Sequence, residues 1–571
     1  MSHNVKEIFR GGDVVVQGLI EENIEYIFGI VGGQLLPIYD AVHRWGREHG
    51  IDTIAVRHEQ AAAHMADAYA RLTGKIGVCM GTVGPGATDM VPGVGAAWAD
   101  NIPILIITPQ LSKKEEGLGS LQGGIDQITM YKPLTKFQAH IHNPKKLKHF
   151  LHQAINVALS GRPGPTHLDI VVDVLTGQFE KEDMLKPSQY RPLSRPEANT
   201  DEIKKAIKLI QESERPMIVS GGGVTMSGAW NELQEFAEYL SIPVIVTRMG
   251  IGTFNNKNPT FIGGPGLVGG AGAQAAASTD LIIAFGTRFS LITMFGQSPP
   301  WNADAKLIHI DIDPTIIGKN RPVDIGIVSD CKLAASKFLE IIKKSGIKKR
   351  SPSEWVNQLL EQKEKFKQKI IKRCEPNNKP IHPSRLIKDV LEFMSDNAIL
   401  ALDGGNIMGF VQEQICTIID RPPRSVLQSV GMGHLGSGLP YAISAKLTFP
   451  DREVIHIAGD GSFGFNIQEL ETAVRYDLQI INIIGNDGAW GMIKSGQKSK
   501  YKKRYIDSDL PGVDYSTIAK GFGCYGERIT EPENIIPALN RARKSKKPAV
   551  IDVVIDPKKI PDSTKLYQSF I

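Results

Sequence analysis

Two acidic turns, separated by a helix and a strand, constrain this chain more than any other feature. Gly459-Asp460-Gly461-Ser462 follows the apolar run Val454–Ala458, and Asn486-Asp487-Gly488-Ala489-Trp490-Gly491 follows Leu478–Ile484. Between them, Phe463 to Arg475 carries apolar residues at helical spacing. A strand–helix–strand unit makes the two strands parallel, so both turns sit at the carboxyl edge of one sheet, where open α/β sheets bind ligands. Asp460 and Asp487 are therefore predicted to converge on one ion. The amides of Gly461 and Ser462 are then free to hold a phosphate at a helix start. Mg²⁺ is the hard cation that keeps waters and bridges carboxylates to phosphates. Taken alone, each turn is an ordinary loop composition; the rest of the chain is what distinguishes them.

The same alternation of strand and helix runs through three blocks. Residues 1-185 read as buried strands at Tyr26–Ile30, Thr53–Val56, Ile76–Thr82, Ile104–Thr108 and Thr166–Val171, with helices such as Glu59–Arg71 and Ala87–Ala99 between them. Lys181–Asn199, rich in proline and charge, reads as a linker. The second block, 195-345, has strands at Met217–Ser220, Val244–Thr247, Leu281–Phe285 and Leu307–Ile310. Its turns are glycine-rich, at Gly221-Gly222-Gly223 and Gly263-Gly264-Pro265-Gly266. A polar, helical connector over Lys343–Lys379 leads to the third block, 380-557, which contains the acidic turns. The tail Lys558–Ile571 has no strong pattern.

Composition narrows the function classes. A chain of 571 residues with 42% hydrophobic and 22% charged residues suits a soluble protein of several domains with ample core. A net charge of +5, spread along the chain, implies no nucleic-acid groove; lysine-rich pieces such as Lys498–Arg504 read as solvated loops. Five cysteines, far apart and without a CxxC pair, support neither a disulfide framework nor a zinc site. The start, Met1–Glu7, lacks a hydrophobic signal core, and no apolar run approaches the ~20 residues that span a bilayer. A cytoplasmic enzyme without membrane or nucleic-acid partners is the expectation.

With GDGS, a strand–helix–strand span and an Asn-Asp turn in that order, the chain resembles the thiamine diphosphate (ThDP) enzymes, over nearly its whole length. The resemblance implies three doubly wound parallel-sheet domains of the ThDP decarboxylase and carboligase type. It assigns Mg²⁺ to Asp460, Asp487 and the carbonyl of Ala489, although Asp487 stands where most relatives carry Asn. Arg57-His58-Glu59-Gln60-Ala61-Ala62-Ala63-His64 cannot be a zinc HExxH motif, because Ala62 stands where the second His is needed. It resembles the segment supplying the glutamate that bonds the coenzyme's pyrimidine, so Glu59 is the expected catalytic residue. Through it the coenzyme forms a ylid and then an enamine.

Gly431-Met432-Gly433-His434-Leu435-Gly436 spells GxGxxG, a weak dinucleotide signal on its own. Matched to the family, the Gly433 carbonyl holds the pyrimidine amine, and Leu435 wedges under the bend between the two rings. Gly404 and Asn406, in Asp403-Gly404-Gly405-Asn406, resemble the loop that helps hold the diphosphate with Gly461 and Ser462. Trp490, Gly491 and Met492 would line the same wall. Leu121-Gln122-Gly123-Gly124-Ile125-Asp126-Gln127 resembles the loop that aims a glutamine at the substrate oxygen. A buried glutamine is unfavourable unless paired, so Gln122 is the second catalytic candidate. Gly33 and Gln34 are weaker substrate candidates. In this family the glutamate-bearing domain of one subunit faces the metal-bearing domain of another, which implies a homodimer or homotetramer with shared active sites.

Within the family the chain looks most like acetolactate synthases, through RHEQ, GPGAT at Gly84–Thr88, Gly161–Pro165 and the GLP that precedes GDGSF. Gly496 stands where those synthases carry Trp. Thr287-Arg288-Phe289-Ser290 lacks their Asp pair, which leaves FAD doubtful. Benzaldehyde lyases share Leu121–Met130 and Trp490, but Gln34 replaces their active-site His. Bacterial 2-hydroxyacyl-CoA lyases share Leu435–Leu447, yet no basic tail suited to CoA is evident here. The expected substrate is thus a 2-oxo acid, with an aldehyde or an acyl-CoA as the alternatives. A fold that keeps the shape and binds without catalysis is disfavoured by the three acids Glu59, Asp460 and Asp487.

Overall fold

Strands covered by helices on both faces must be apolar on both, and Ile104–Gln110 and Ile480–Asn486 meet that demand with almost unbroken burial. The computed structural model describes residues 8–181, 183–264 and 270–565. Met1–Glu7, Pro265 and Gly266 of the second glycine-rich turn, and the tail from 566 lie outside the described residues. The described residues form three six-stranded sheets in which every pairing is parallel.

The first sheet runs in spatial order Asp52–Ala55, Tyr26–Gly29, Gly77–Met80, Ile104–Gln110, Thr166–Val171, Phe137–Ile141. The third repeats that order of connections as Val426–Leu427, Ile399–Leu402, Val454–Gly459, Ile480–Asn486, Ala549–Val554, Tyr525–Ile529. The second runs Ile325–Val328, Lys306–Asp311, Leu281–Phe285, Pro216–Ser220, Val244–Val246, Phe261–Gly263. In the third sheet the chain reverses its direction of travel between Ile399–Leu402 and Val454–Gly459. At such a switch point the turns diverge to opposite faces and open a crevice at the carboxyl ends. The first sheet reverses in the same way between Tyr26–Gly29 and Gly77–Met80.

Two differences from the sequence reading have physical causes. Edge strands such as Phe137–Ile141 and Tyr525–Ile529 interleave polar residues with apolar ones, because one side of an edge strand meets solvent. The helix expected over Phe463–Arg475 is two pieces, Asp460–Phe463 and Glu469–Arg475. The break contains Gly464 and the buried Asn466, whose amide donates to the Gly436 carbonyl at 2.7 Å instead of facing solvent from a helix.

The chain divides into two compact units. One comprises Met1–Ser194, Ser429–Pro450 and Asn466–Leu478; the other comprises Arg195–Gln428, Asp451–Phe465 and Gln479–Ile571. In the first unit the helix Glu59–Thr73 is buried on nearly all sides, and its run of alanines lets the helix Gly438–Thr448 approach closely. The Ser444 hydroxyl donates to the Met65 carbonyl at 2.8 Å. Inside this contact Arg71 donates to both oxygens of Asp67, at 2.7 and 3.0 Å, and to Asp100 at 3.0 Å. The Tyr441 hydroxyl also donates to Asp67. Asp100 in turn accepts the amides of Val430 and Gly431 at 2.9 and 2.7 Å, so the loop carrying Gly433 is tied to this cluster.

Arg71→Met would leave two buried carboxylates without their cation. We expect it to destabilise the protein by about 3–5 kcal/mol, seen as a drop in thermal midpoint by calorimetry. Arg71→Lys should recover only part of the loss, because an ammonium cannot fork between two carboxylates as a guanidinium does.

Candidate active site

In the first unit, Glu59 is the first residue of the helix Glu59–Thr73, directly beyond the strand Asp52–Ala55 and a short turn. His58 caps that helix by accepting the Gln60 amide on Nδ1 at 3.2 Å. Glu59 is 8% exposed. Burial pushes its carboxyl above the ordinary range, its own backbone amide opposes the rise, and the neighbouring Asp89 adds to it. The turn Gly84–Gly86 abuts the carboxylate: a Cβ built on Gly86 would lie 3.0 Å from Glu59 Oε1. Burial that favours the neutral form suits a carboxyl that exchanges a proton with a group bound beside it.

Glu469, absent from the sequence reading, supports this segment from behind. It is fully buried, and its oxygens accept the Arg57 amide at 3.0 and 3.2 Å, two residues before Glu59. Burial pushes its carboxyl up to about 7. Local periodicity does not carry that information, because the partner of Glu469 lies 412 residues away in the chain.

The remaining first-unit candidates separate into two groups. Gln34 is half-buried and accepts the Thr82 hydroxyl at 3.1 Å, while Gly33 beside it is exposed with open space where a side chain would be. Gly433, at φ +64°, is exposed with open space as well, and Leu435 is half-buried. Gln122 is half-buried at φ +65°, with its carbonyl facing Gly84. The buried, fully paired glutamine of that loop is instead Gln127. It is 1% exposed, with Oε1 on the Gly84 amide at 3.0 Å and Nε2 on Asp169 at 2.7 Å. Gln127 lies five residues beyond Gln122 in the same loop.

In the second unit, the turns after Ile399–Leu402, Val454–Gly459 and Ile480–Asn486 meet at the switch point of the third sheet. Asp460 is buried and Asp487 partly so; the two carboxylates adjoin. Burial first, and the charge of Asp460 next, push Asp487 up to about 7. Ala489 sits in the same turn, its amide on Asp487 Oδ1 at 3.3 Å. A Cβ on Gly491 would lie 2.5 Å from Asp487 Oδ2 and 2.9 Å from Asn406 Nδ2, so all three share one small space. Asn406 is steadied by the Thr564 hydroxyl at 2.8 Å.

Gly404, at φ +96°, turns toward Ser462 Oγ, and Met492 packs against Gly405. The Trp490 ring lies over Gly461, where a Cβ would come within 2.5 Å of it, and it meets Phe465 edge-on at 6.3 Å. Every second-unit candidate from the sequence therefore lines one crevice.

Those residues fit a metal-bound diphosphate. Two adjoining, largely buried carboxylates repel each other, and among the described residues no lysine, arginine or histidine forms an ion pair with either. A divalent cation removes that repulsion, and an all-oxygen donor set suits Mg²⁺. The glycines keep the wall clear for phosphate oxygens to approach the backbone.

Comparison with known proteins identifies the family. The family profile described as thiamine pyrophosphate enzyme, N-terminal TPP binding domain, matches residues 9–130. The central-domain profile matches 203–338, and the C-terminal TPP binding domain profile matches 403–553. A probable acetolactate synthase large subunit of Methanocaldococcus jannaschii is 37% identical over 561 residues, covering 96% of this chain and 92% of the relative. The acetolactate synthase large subunit of Corynebacterium glutamicum is 36% identical, over 96% of this chain and 87% of its own. That of Haemophilus influenzae is 34% identical, over 96% and 94%.

Proposed function

The chain belongs to the thiamine pyrophosphate enzymes, and from that premise we propose that it is an acetolactate synthase-like carboligase requiring Mg²⁺. It joins the acyl unit left by decarboxylation of one 2-oxo acid to the carbonyl carbon of a second, releasing CO₂. The observation that carries this reading is the pair Asp460 and Asp487, adjoining and without a cationic partner among the described residues, in the crevice of the third sheet.

Asp460, Asp487 and the Ala489 carbonyl hold the Mg²⁺. Gly404, Asn406, Gly461 and Ser462 receive the diphosphate; Trp490, Gly491 and Met492 form the wall beside it. When bound, ThDP supplies the carbanion that attacks a carbonyl carbon. Glu59 holds a proton at the pyrimidine nitrogen, and the Gly433 carbonyl and Leu435 orient the pyrimidine amine. Gln122 donates to the substrate oxygen, with Gly33 and Gln34 on the substrate side. Two copies of the chain share each site, as a homodimer or within a homotetramer. No helix of the described residues is long and apolar enough to cross a membrane, in keeping with a cytoplasmic place of action.

The test supplies pyruvate, glyoxylate, benzoin and a 2-hydroxyacyl-CoA side by side, each with ThDP and Mg²⁺, and identifies products by mass. Acetolactate from pyruvate, dependent on both cofactors, is the expected result. Turnover confined to the acyl-CoA or to benzoin would replace this reading with a lyase.

A further inference from the structure

Outside the residues assigned above, the first unit holds a hydrogen-bonded chain with no part in that assignment. Asp169, in the strand Thr166–Val171, is 1% exposed. It accepts from the His140 ring at 2.9 Å, the Thr108 hydroxyl at 3.2 Å and the Gln127 amide at 2.7 Å. Gln127 Nε2 also reaches the Pro109 carbonyl at 3.1 Å, and its Oε1 accepts the Gly84 amide at 3.0 Å. A carboxylate accepts and cannot donate, so Asp169 fixes which end of the Gln127 amide faces it and leaves the oxygen for Gly84.

Gly84 holds its backbone at φ +76°, ψ −103°, a conformation open to glycine and closed to residues with a Cβ. On one side the turn faces the Gln122 carbonyl; on the other, Gly86 abuts Glu59. We propose that Gln127, oriented by Asp169, is a positioning residue that sets the Gly84–Gly86 turn against Glu59 and Gln122. The inference rests on the reading of Glu59 given above. Replacing Gln127 by an apolar residue of similar shape would leave the Gly84 amide and one oxygen of Asp169 without this partner. Here the amide links two segments that both border the expected reaction.

The test uses the full chain with Gln127→Leu and Gln127→Glu. In the cofactor-free protein, amide exchange over residues 82–88 should accelerate roughly tenfold or more in Gln127→Leu, with exchange elsewhere in the first unit unchanged. With ThDP and Mg²⁺ added, coenzyme affinity should stay within about threefold, while exchange of the coenzyme's C2 proton, read by NMR after acid quench, slows roughly tenfold or more. Gln127→Glu sets a second carboxylate against Asp169. Its C2 exchange is taken relative to the wild-type protein at each pH, which cancels the titration of His140 on Asp169 and the base dependence of the exchange itself. On that scale it should be slow near about pH 8 and recover toward about pH 5.5, as the new carboxyl takes a proton and can donate again.

Unchanged exchange at 82–88 together with unchanged C2 exchange in Gln127→Leu would overturn the inference. Absence of any acid recovery in Gln127→Glu would do so as well, even if the leucine variant fails to fold. Glu59→Gln is the control that separates the two claims. Normal C2 exchange there sinks the reading of Glu59, whereas loss there with an unaffected Gln127→Leu sinks only the positioning role.

Discussion

Glu59→Gln lowers turnover by roughly 10²–10⁴-fold while ThDP still binds. The amide fills the same volume at the start of the helix Glu59–Thr73, but it cannot exchange a proton with the pyrimidine nitrogen. Burial already disfavours the charged form of this carboxyl, so removing its charge relieves desolvation and the fold should not suffer. The loss at most touches a helix-dipole contribution of about 1 kcal/mol. Steady-state rates, with coenzyme binding followed by fluorescence quenching, check the claim. Undiminished turnover would remove Glu59 from the mechanism.

Asp460→Asn and Asp487→Asn part company sharply. With no ion bound, the two carboxylates oppose each other, so either change should raise the midpoint of the cofactor-free protein. Asp460 is the more deeply buried of the two proposed ligands, and without it the protein should lose its gain on adding ThDP and Mg²⁺. That gain is roughly 3 kcal/mol when the ligand stands at about a hundred times its dissociation constant. Asp487→Asn keeps an oxygen donor in the turn and should retain most of the gain. Melting curves with and without both cofactors decide this. Equal losses in the two variants would mean that the acids do not divide their roles as described.

Much of the fold was legible because buried parallel strands are written as apolar runs. Thr166–Val171 and Leu281–Phe285 lie where the sequence puts them, and the acidic turns follow their strands directly. Edge strands were harder: Tyr525–Ile529 spells Tyr-Gly-Glu-Arg-Ile, whose alternation over five residues is also that of a loop. The second-unit crevice was readable because its residues lie in short motifs at strand ends. Glu469 and Gln127 were not, because their importance lies in partners far away in the chain, Arg57 and Gly84. Gln127 stood inside a motif already singled out, yet motif and burial rule together pointed at Gln122. Only the geometry distinguishes the glutamine that is paired from the one that is available.

The claim on which the account depends is that Glu59 of one copy serves the metal turn of another. Mixing Glu59→Gln chains with Asp460→Asn chains under conditions of subunit exchange tests it directly. In a two-fold dimer with shared sites, each hybrid regains one intact site, and random pairing should restore about a quarter of wild-type activity from two inactive proteins. Activity that stays at the level of the separate variants, with hybrids demonstrated by mass, would contradict the account.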